Sequence, residues 1–322
     1  MRRFRNILAV VDEGSFSDAV LARAAWLARS NAARLTLVDS KGDEPGEIAR
    51  LLAVLPGRRA AQVEAQLGAA RAERLEALAR KLRDDGAEVA TRTLVGSAFV
   101  EIIRQVLRDG HDLVLKGADR AADMPFLRAP DLHLLRKAPC PVWILNGPTA
   151  AKSVHIAAAV DPDPGDPVRD GLNRTVMELA TSLARNDGAR LDVLNAWHVQ
   201  EEAVLRHGLV KIPEEDVHAI VAAEEHNSRQ RFDALTGPFE ADNPQMRLHH
   251  LKGIAAEVVP GFVAQEKVDT LVMGTVGRTG IPGFFIGNTA ETILGQVGCS
   301  VLAVKPAGFR SPVTLDDGTR SR

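Results

Sequence analysis

"RNILAVVD", residues 5–12, returns as "SVHIAAAVD", residues 153–161. Each is a short apolar run closed by an aspartate, the pattern of a strand buried on both faces in a parallel sheet. Further pairs lie on either side. "LARSNAARLTLV" from Leu27 matches "LARNDGARLDVL" from Leu183, "HDLVLKG" ending at Gly117 matches "VDTLVMG" ending at Gly274, and "APCPVWIL" from Ala138 matches "VGCSVLAV" from Val297. The partners stand 149 residues apart at Asp12 and Asp161, then 156, 157 and 159 apart. A slow, ordered drift is expected of two copies of one domain whose loops differ in length. The join falls in "NGPTAAK", residues 146–152, where Gly and Pro cannot continue the preceding strand. The expected domains are 1–148 and 149–322, the second ending in a loose polar tail from about residue 307.

Within the first copy, strand-like runs at 7–11, 35–38, 89–94, 113–115 and 142–145 alternate with helical patterns at 19–29, 58–83, 98–107 and 132–137. Runs near 154–160, 191–196, 246–251, 270–274 and 300–304 repeat the series. The fold class is therefore α/β: two tandem Rossmann-like domains, each an open five-stranded parallel sheet with helices on both faces and right-handed crossovers. Ligands of such sheets bind beyond the carboxyl ends of the strands, where the strand order reverses. Asp12, Asp161, Gly117 and Gly274 stand at those ends.

A chain of 322 residues, 45% hydrophobic and 25% charged, suits two average globular domains. A formal net charge of −2 provides no global field for nucleic acid or acidic lipid, so no nucleic-acid partner is expected. The apolar run Ile7–Val11 is too short for a secretory segment, and no stretch nears the roughly 20 apolar residues of a membrane span. Two cysteines make no disulfide framework, so the cytoplasm is the expected compartment, without membrane insertion. Cys140 and Cys299 occupy equivalent places beside buried strands and read as small core residues. His249 and His250, adjacent on a strand, point to opposite faces and are poorly placed to share a metal, so no metal site is assigned.

The segment "GTVGRTGIPGFFIGNTAE", residues 274–291, carries the chemistry. Glycines let backbone N–H groups approach an anion without a Cβ in the way, and the start of a helix attracts negative charge. Gly274, Gly277 and Gly287, with the mobile cation of Arg278, point to phosphate; a tight connecting turn is the plainer reading. Neither G-x-G-x-x-G nor G-x-x-x-x-G-K-[ST] occurs here. With its G-x2-G-x9-G spacing, the strand-terminal Asp161 and the closing "CSVLAVKP", the sequence resembles the universal stress protein family over nearly its whole length. "GTVGRTG…GNTAE" and "HLLRKAPCPVWIL" look most like its tandem, two-domain E-type branch.

That resemblance implies a stress-response protein of the bacterial cytoplasm that holds ATP, with or without Mg²⁺. Gly274, Gly277, Gly287 and the backbone of Asn288 and Thr289 would hold phosphates, Asp161 would face the ribose, and adenine would lie against Asn195 and Ala196. It also implies that the two copies form an intramolecular pseudo-dimer, with homodimers open to the chain as well. The family's Ser/Thr after the last glycine is Asn288 here, and Asn288 with Glu291 forms a capping-box-like pattern that could compete for the same amides. In the first copy Arg128, Ala129 and Pro130 replace Gly287, Asn288 and Thr289, and Asp131 adds a carboxylate at the helix start. This copy is expected to have lost triphosphate binding and to serve as a partner domain. Any ATPase activity is expected to be slow, because nothing beyond Asp161 and Glu291 offers a base or metal ligands. The alternative is an interaction protein whose nucleotide sites are vestigial. A nucleotide-dependent transferase ranks last, because it lacks any HIGH-like or SGG-x-DS-like signature.

Overall fold

The computed structural model describes residues 4–12, 17–41, 54, 57–119, 127, 129–146, 152–208, 212–275 and 286–315. The chain divides into two compact units, Met1–Lys152 with Arg310–Arg322, and Ser153–Phe309. The last described residues are held by the first unit: the Arg104 guanidinium donates to the carbonyl of Thr314 at 3.3 Å.

The first unit contains strands β1 (Asn6–Val10), β2 (Arg34–Lys41), β3 (Val89–Val95), β4 (Leu113–Gly117) and β5 (Val142–Leu145). They pair in parallel in the order β3-β2-β1-β4-β5. Helices α1 (Ser17–Asn31), α2 (Gly57–Asp84), α3 (Ala98–Asp109) and α4 (Ala129–Lys137) alternate with them. The second unit repeats the plan with β6 (His155–Val160), β7 (Arg190–Trp197), β8 (Arg247–Lys252), β9 (Thr270–Gly274) and β10 (Ser300–Val304), in the order β8-β7-β6-β9-β10. Its helices are α5 (Pro167–Asp187), α6 (Glu202–His207), α7 (Glu214–Glu240), α8 (Ala255–Gln265) and α9 (Asn288–Leu294).

The continuous apolar runs are central strands because only a doubly covered position buries every side chain. All five residues of β1 and of β4 are buried, and register places Ile7 between Leu35 and Leu113. The strand order reverses between β1 and β4 and again between β6 and β9, so the aspartates after β1 and β6 stand at the switch points. Local signals fix the helix that borders the second switch point. Asp166 caps α5, accepting from the amides of Val168 and Arg169, and Pro167 occupies the first turn, where its missing N–H costs nothing. Gly188 ends the helix at φ 64°, donating back to the carbonyls of Ala184 and Arg185.

The amino ends of the second unit's strands are tied by a buried carboxylate. Asp192, fully buried in β7, lies 2.5 Å from His155 Nε2, 3.0 Å from His249 Nε2 and 2.7 Å from the Arg190 guanidinium. His155 Nδ1 meets the carbonyl of Glu266 at 3.1 Å. One residue on, the His250 ring lies on the other face of β8, as expected from strand alternation, with Nε2 3.0 Å from Ser228 Oγ. Among the described residues no group of three or more His, Cys, Asp or Glu is arranged to hold a metal. No described helix is long and apolar enough to cross a membrane.

Both cysteines are buried, and burial pushes the Cys299 thiol up to about 12. A thiol that far from ionisation is inert, since the thiolate is the nucleophile. The native protein is expected to react with Ellman's reagent at neither cysteine over minutes, and at both once denatured. Rapid release of thionitrobenzoate before unfolding would contradict this.

Candidate functional site

A cavity of about 230 Å³ opens beyond the carboxyl ends of β6 and β7. Asp161 and Pro162 after β6, Asn195 to Trp197 at the end of β7, Arg169 from α5 and Ser228 from α7 are among its walls. Asp161, Asn195 and Ala196 are thus brought together in one place. The backbone of Asp161 is held twice by Asn173 of α5, whose Oδ1 accepts from its amide at 2.9 Å and whose Nδ2 donates to its carbonyl at 2.8 Å. The Asp161 side chain is about half exposed and pairs with the Arg169 guanidinium, which also reaches Asp163 at 2.6 Å. The run "DPDPGDP" therefore divides its work. Asp166 caps the helix, Asp163 accepts from Gly165 N and from Arg169, and Asp161 faces the cavity.

Asn195 is fixed from both sides. Its Nδ2 donates to the carbonyl of Val160 at 3.1 Å, and its Oδ1 accepts from Ser228 Oγ at 3.2 Å. Ser228 is in turn 3.0 Å from His250 Nε2, and the His250 ring stacks on Trp197 and Phe232 with centroids 5.5 and 6.2 Å away. Burial, with Arg229 nearby, holds the His250 imidazole below its ordinary value, so it is neutral at pH 7. At the rim, Arg231 and Glu224 pair at 2.9 Å.

Part of the glycine segment is in view. Gly277 and Arg278, like Phe284 and Phe285, lie outside the described residues, whereas Ile286 is buried. Thr275 joins the two ends. It donates to Val304 O at 3.1 Å and accepts from Gly287 N at 2.9 Å, so the start of α9 sits beside the end of β9. Gly274 is glycine for packing: a Cβ there would lie 2.7 Å from Leu172 Cδ2 of α5. Gly287 is different, because its φ −64° and ψ 143° suit any residue. The expected capping box is not formed. Gly287 is the N-cap, Asn288 is the first helical residue, and no side chain among the described residues caps the helix. Asn288 lies one place too far along to bend back, and Glu291 instead donates its amide to Gly287 O at 2.9 Å. The amides of Asn288 and Thr289 have no hydrogen-bond partner among the described residues.

In the first unit the corresponding positions carry charged side chains that pair with one another. Lys116, the counterpart of Met273 by the 157-residue offset, is buried at the end of β4. Its ammonium meets Asp119 at 2.6 Å, Asp131 at 2.9 Å and the Gly117 carbonyl at 3.0 Å. Asp131 is fully buried at the start of α4 and also accepts from Asp119 N at 2.8 Å. Where the second unit has Asn195 the first has buried Asp39, 3.9 Å from Arg74 of α2. Arg74 also donates to the Asp12 carbonyl at 3.1 Å.

The pattern of the universal stress protein family matches residues 3–146 and again 155–305. The chain belongs to the universal stress protein family. As a tandem universal stress protein it is 28% identical to universal stress protein E of Escherichia coli K12, over 98% of this chain and 99% of that one. It is 24% identical to universal stress protein E of Photorhabdus laumondii, over 97% and 98%. A crystal structure from Pseudomonas aeruginosa UCBPP-PA14, 24% identical, superposes with a TM-score of 0.70 over 95% of this chain and 94% of that one. A universal stress protein from Archaeoglobus fulgidus, 14% identical, does so at 0.62 over 95% and 98%, and both likenesses show the fold.

Several lining residues of this universal stress protein escaped the reading of its sequence: Arg169, Trp197, Glu224, Ser228 and Arg231. Arg169 was recoverable, because the Asp166–Pro167 helix start puts the first turn of α5 at the strand ends. Glu224, Ser228 and Arg231 stand four and then three apart, one face of a helix, but a mixed-charge face reads equally well as solvated.

Proposed function

We propose that the second unit binds an adenine nucleotide, ATP, and that occupancy biases the partner choice of a cytoplasmic stress-response protein. The observation that carries this reading is the convergence of Asp161, Asn195 and Ala196 on one cavity at the strand-order reversal. The cavity is smaller than the roughly 300–1,000 Å³ of whole-ligand pockets, and its residues suit a base and a sugar. Pro162 and Ala196 offer apolar surface for a base, Asn195 and Ser228 offer polar contacts to its edge, and Asp161 is an acceptor for ribose hydroxyls. The phosphates would run towards Gly287, Asn288 and Thr289, with Gly274 contributing by letting α5 pack close. Gly277, Arg278 and Mg²⁺ would complete the phosphate end. The bound nucleotide supplies a polyanion whose presence or absence the protein reads; hydrolysis, if it occurs, is slow. In the first unit Lys116, Asp131, Asp39 and Arg74 take the ligand's place, so no nucleotide binds there.

Calorimetric titration with ATP tests the assignment. Gly287→Val is expected to fold normally, since its backbone conformation suits valine, and to weaken binding by at least about a hundredfold, ~2.7 kcal/mol. Equal binding by wild type and variant would refute the phosphate end of the site.

A second reading, an interaction protein with vestigial nucleotide sites, is favoured by one feature: Arg169 already holds Asp161 and Asp163. Denaturing the purified protein and identifying released small molecules by mass spectrometry separates the two. An adenine nucleotide in the supernatant supports the first reading, and nothing released, together with no calorimetric signal, supports the second.

A further inference from the structure

Hydrogen-bond accounting fixes the direction of the chain that floors the cavity. The Val160 carbonyl can only accept, so the Asn195 group beside it at 3.1 Å is the amide nitrogen, and Asn195 Oδ1 faces Ser228. Oδ1 can only accept, so the single hydroxyl hydrogen of Ser228 points to it. Turned the other way, two oxygens would face each other at 3.2 Å with no hydrogen between them. With its hydrogen committed, Ser228 Oγ must receive one from His250 Nε2 at 3.0 Å. The neutral imidazole therefore carries its hydrogen on Nε2. The same accounting removes Ser228 and His250 as a nucleophile and base, because the imidazole nitrogen facing the hydroxyl has no lone pair to offer.

A serine locked in this way presents only a lone pair to the cavity that it lines. Resting on the nucleotide reading above, we propose that Ser228, oriented by His250, makes the second unit selective for bases that bear an exocyclic amino group and reject their oxo counterparts. The remaining lone pair of Ser228 Oγ can accept from an amino hydrogen, whereas a carbonyl oxygen would meet it lone pair to lone pair. The first unit has no equivalent, since an aspartate stands at position 39 where the second unit has Asn195.

ATP and inosine triphosphate differ at the 6-position in this sense, amino against oxo. Titration calorimetry of the full chain is expected to give ATP the tighter binding by about tenfold or more. Ser228→Ala is expected to narrow that ratio to within about threefold, chiefly by weakening ATP. Equal affinities for the two nucleotides in the wild type, or a ratio unchanged in Ser228→Ala, would overturn the selectivity while leaving the nucleotide reading in place. Binding of neither nucleotide would overturn both. A ligand-free measurement keeps the basis open to test if the variant folds poorly. Long-range ¹H–¹⁵N NMR of the wild type at pH 7 is expected to show His250 protonated at Nε2, and a hydrogen on Nδ1 would refute the chain as assigned.

Discussion

Lys116→Met is expected to cost the first unit about 3–5 kcal/mol, because it leaves the Asp131 carboxylate buried and without its cation. Burial alone would pull the Lys116 ammonium down, but Asp131 and Asp119 outweigh it and hold the lysine above its ordinary value, while burial pushes the Asp131 carboxyl up against the pull of Lys116. Methionine is what the second unit carries at the equivalent position 273, so shape is not the obstacle. The loss corresponds to roughly 6–20 °C in midpoint for a domain of this size. Hydrogen exchange read on peptides of β4 and α4 localises it. Removing the charge from the other partner as well, in Lys116→Met with Asp131→Asn, is expected to recover most of the loss, since asparagine still accepts from Asp119 N. If the single variant keeps wild-type stability, or the double falls below the single, the cluster is not the internal substitute for a ligand described above.

Asp192→Asn is expected to destabilise the second unit by about 3 kcal/mol at pH 7, with a pH dependence that identifies the cause. Burial opposes ionisation of Asp192, but His249, His155 and Arg190 outweigh it and hold the carboxyl below its ordinary value of 3.8. A carboxyl depressed on folding contributes stability that is fully present above its unfolded value. That contribution is lost as the pH falls through the lower folded value. Wild type and variant should therefore differ most above about pH 5, with the gap narrowing as the pH falls below about 4 towards the lower folded value. Urea unfolding of the two proteins at pH 7 and pH 3.5 measures this. A gap of constant size across that range would assign the loss to packing rather than charge.

How much of this was legible in the sequence depends on whether the signal was local. The repeat and the apolar runs gave both sheets, because burial on two faces writes itself into consecutive residues such as 7–11 and 270–273. Asp166–Pro167 and Gly188 mark the ends of α5 for the same reason: a cap is a matter of one or two residues and their backbone. The site was legible only where a strand ends. Asp161, Asn195 and Ala196 lie on consecutive elements of one sheet edge and could be placed by topology. Ser228, Glu224 and Arg231 come from a long helix whose rotation against the sheet is set by tertiary packing, and no spacing in α7 singles out the face that looks inward. The Lys116–Asp131 pair was hidden for a related reason. Asp131 reads as a charge at a helix start, but its partner is 15 residues away on a strand that otherwise reads as uniformly apolar.

The contact between Leu172 and the backbone at residue 274 bears on how relatives are sorted. With a methyl group 2.7 Å from Leu172 Cδ2, the tip of that leucine would have to turn aside, so packing favours glycine at residue 274 whether or not a descendant still uses nucleotides. The presence of this glycine in another chain is then a record of ancestry and helix docking. Residue 287, whose backbone makes no such demand, is the position at which a lineage that has abandoned its ligand is free to drift, and is the one to inspect first.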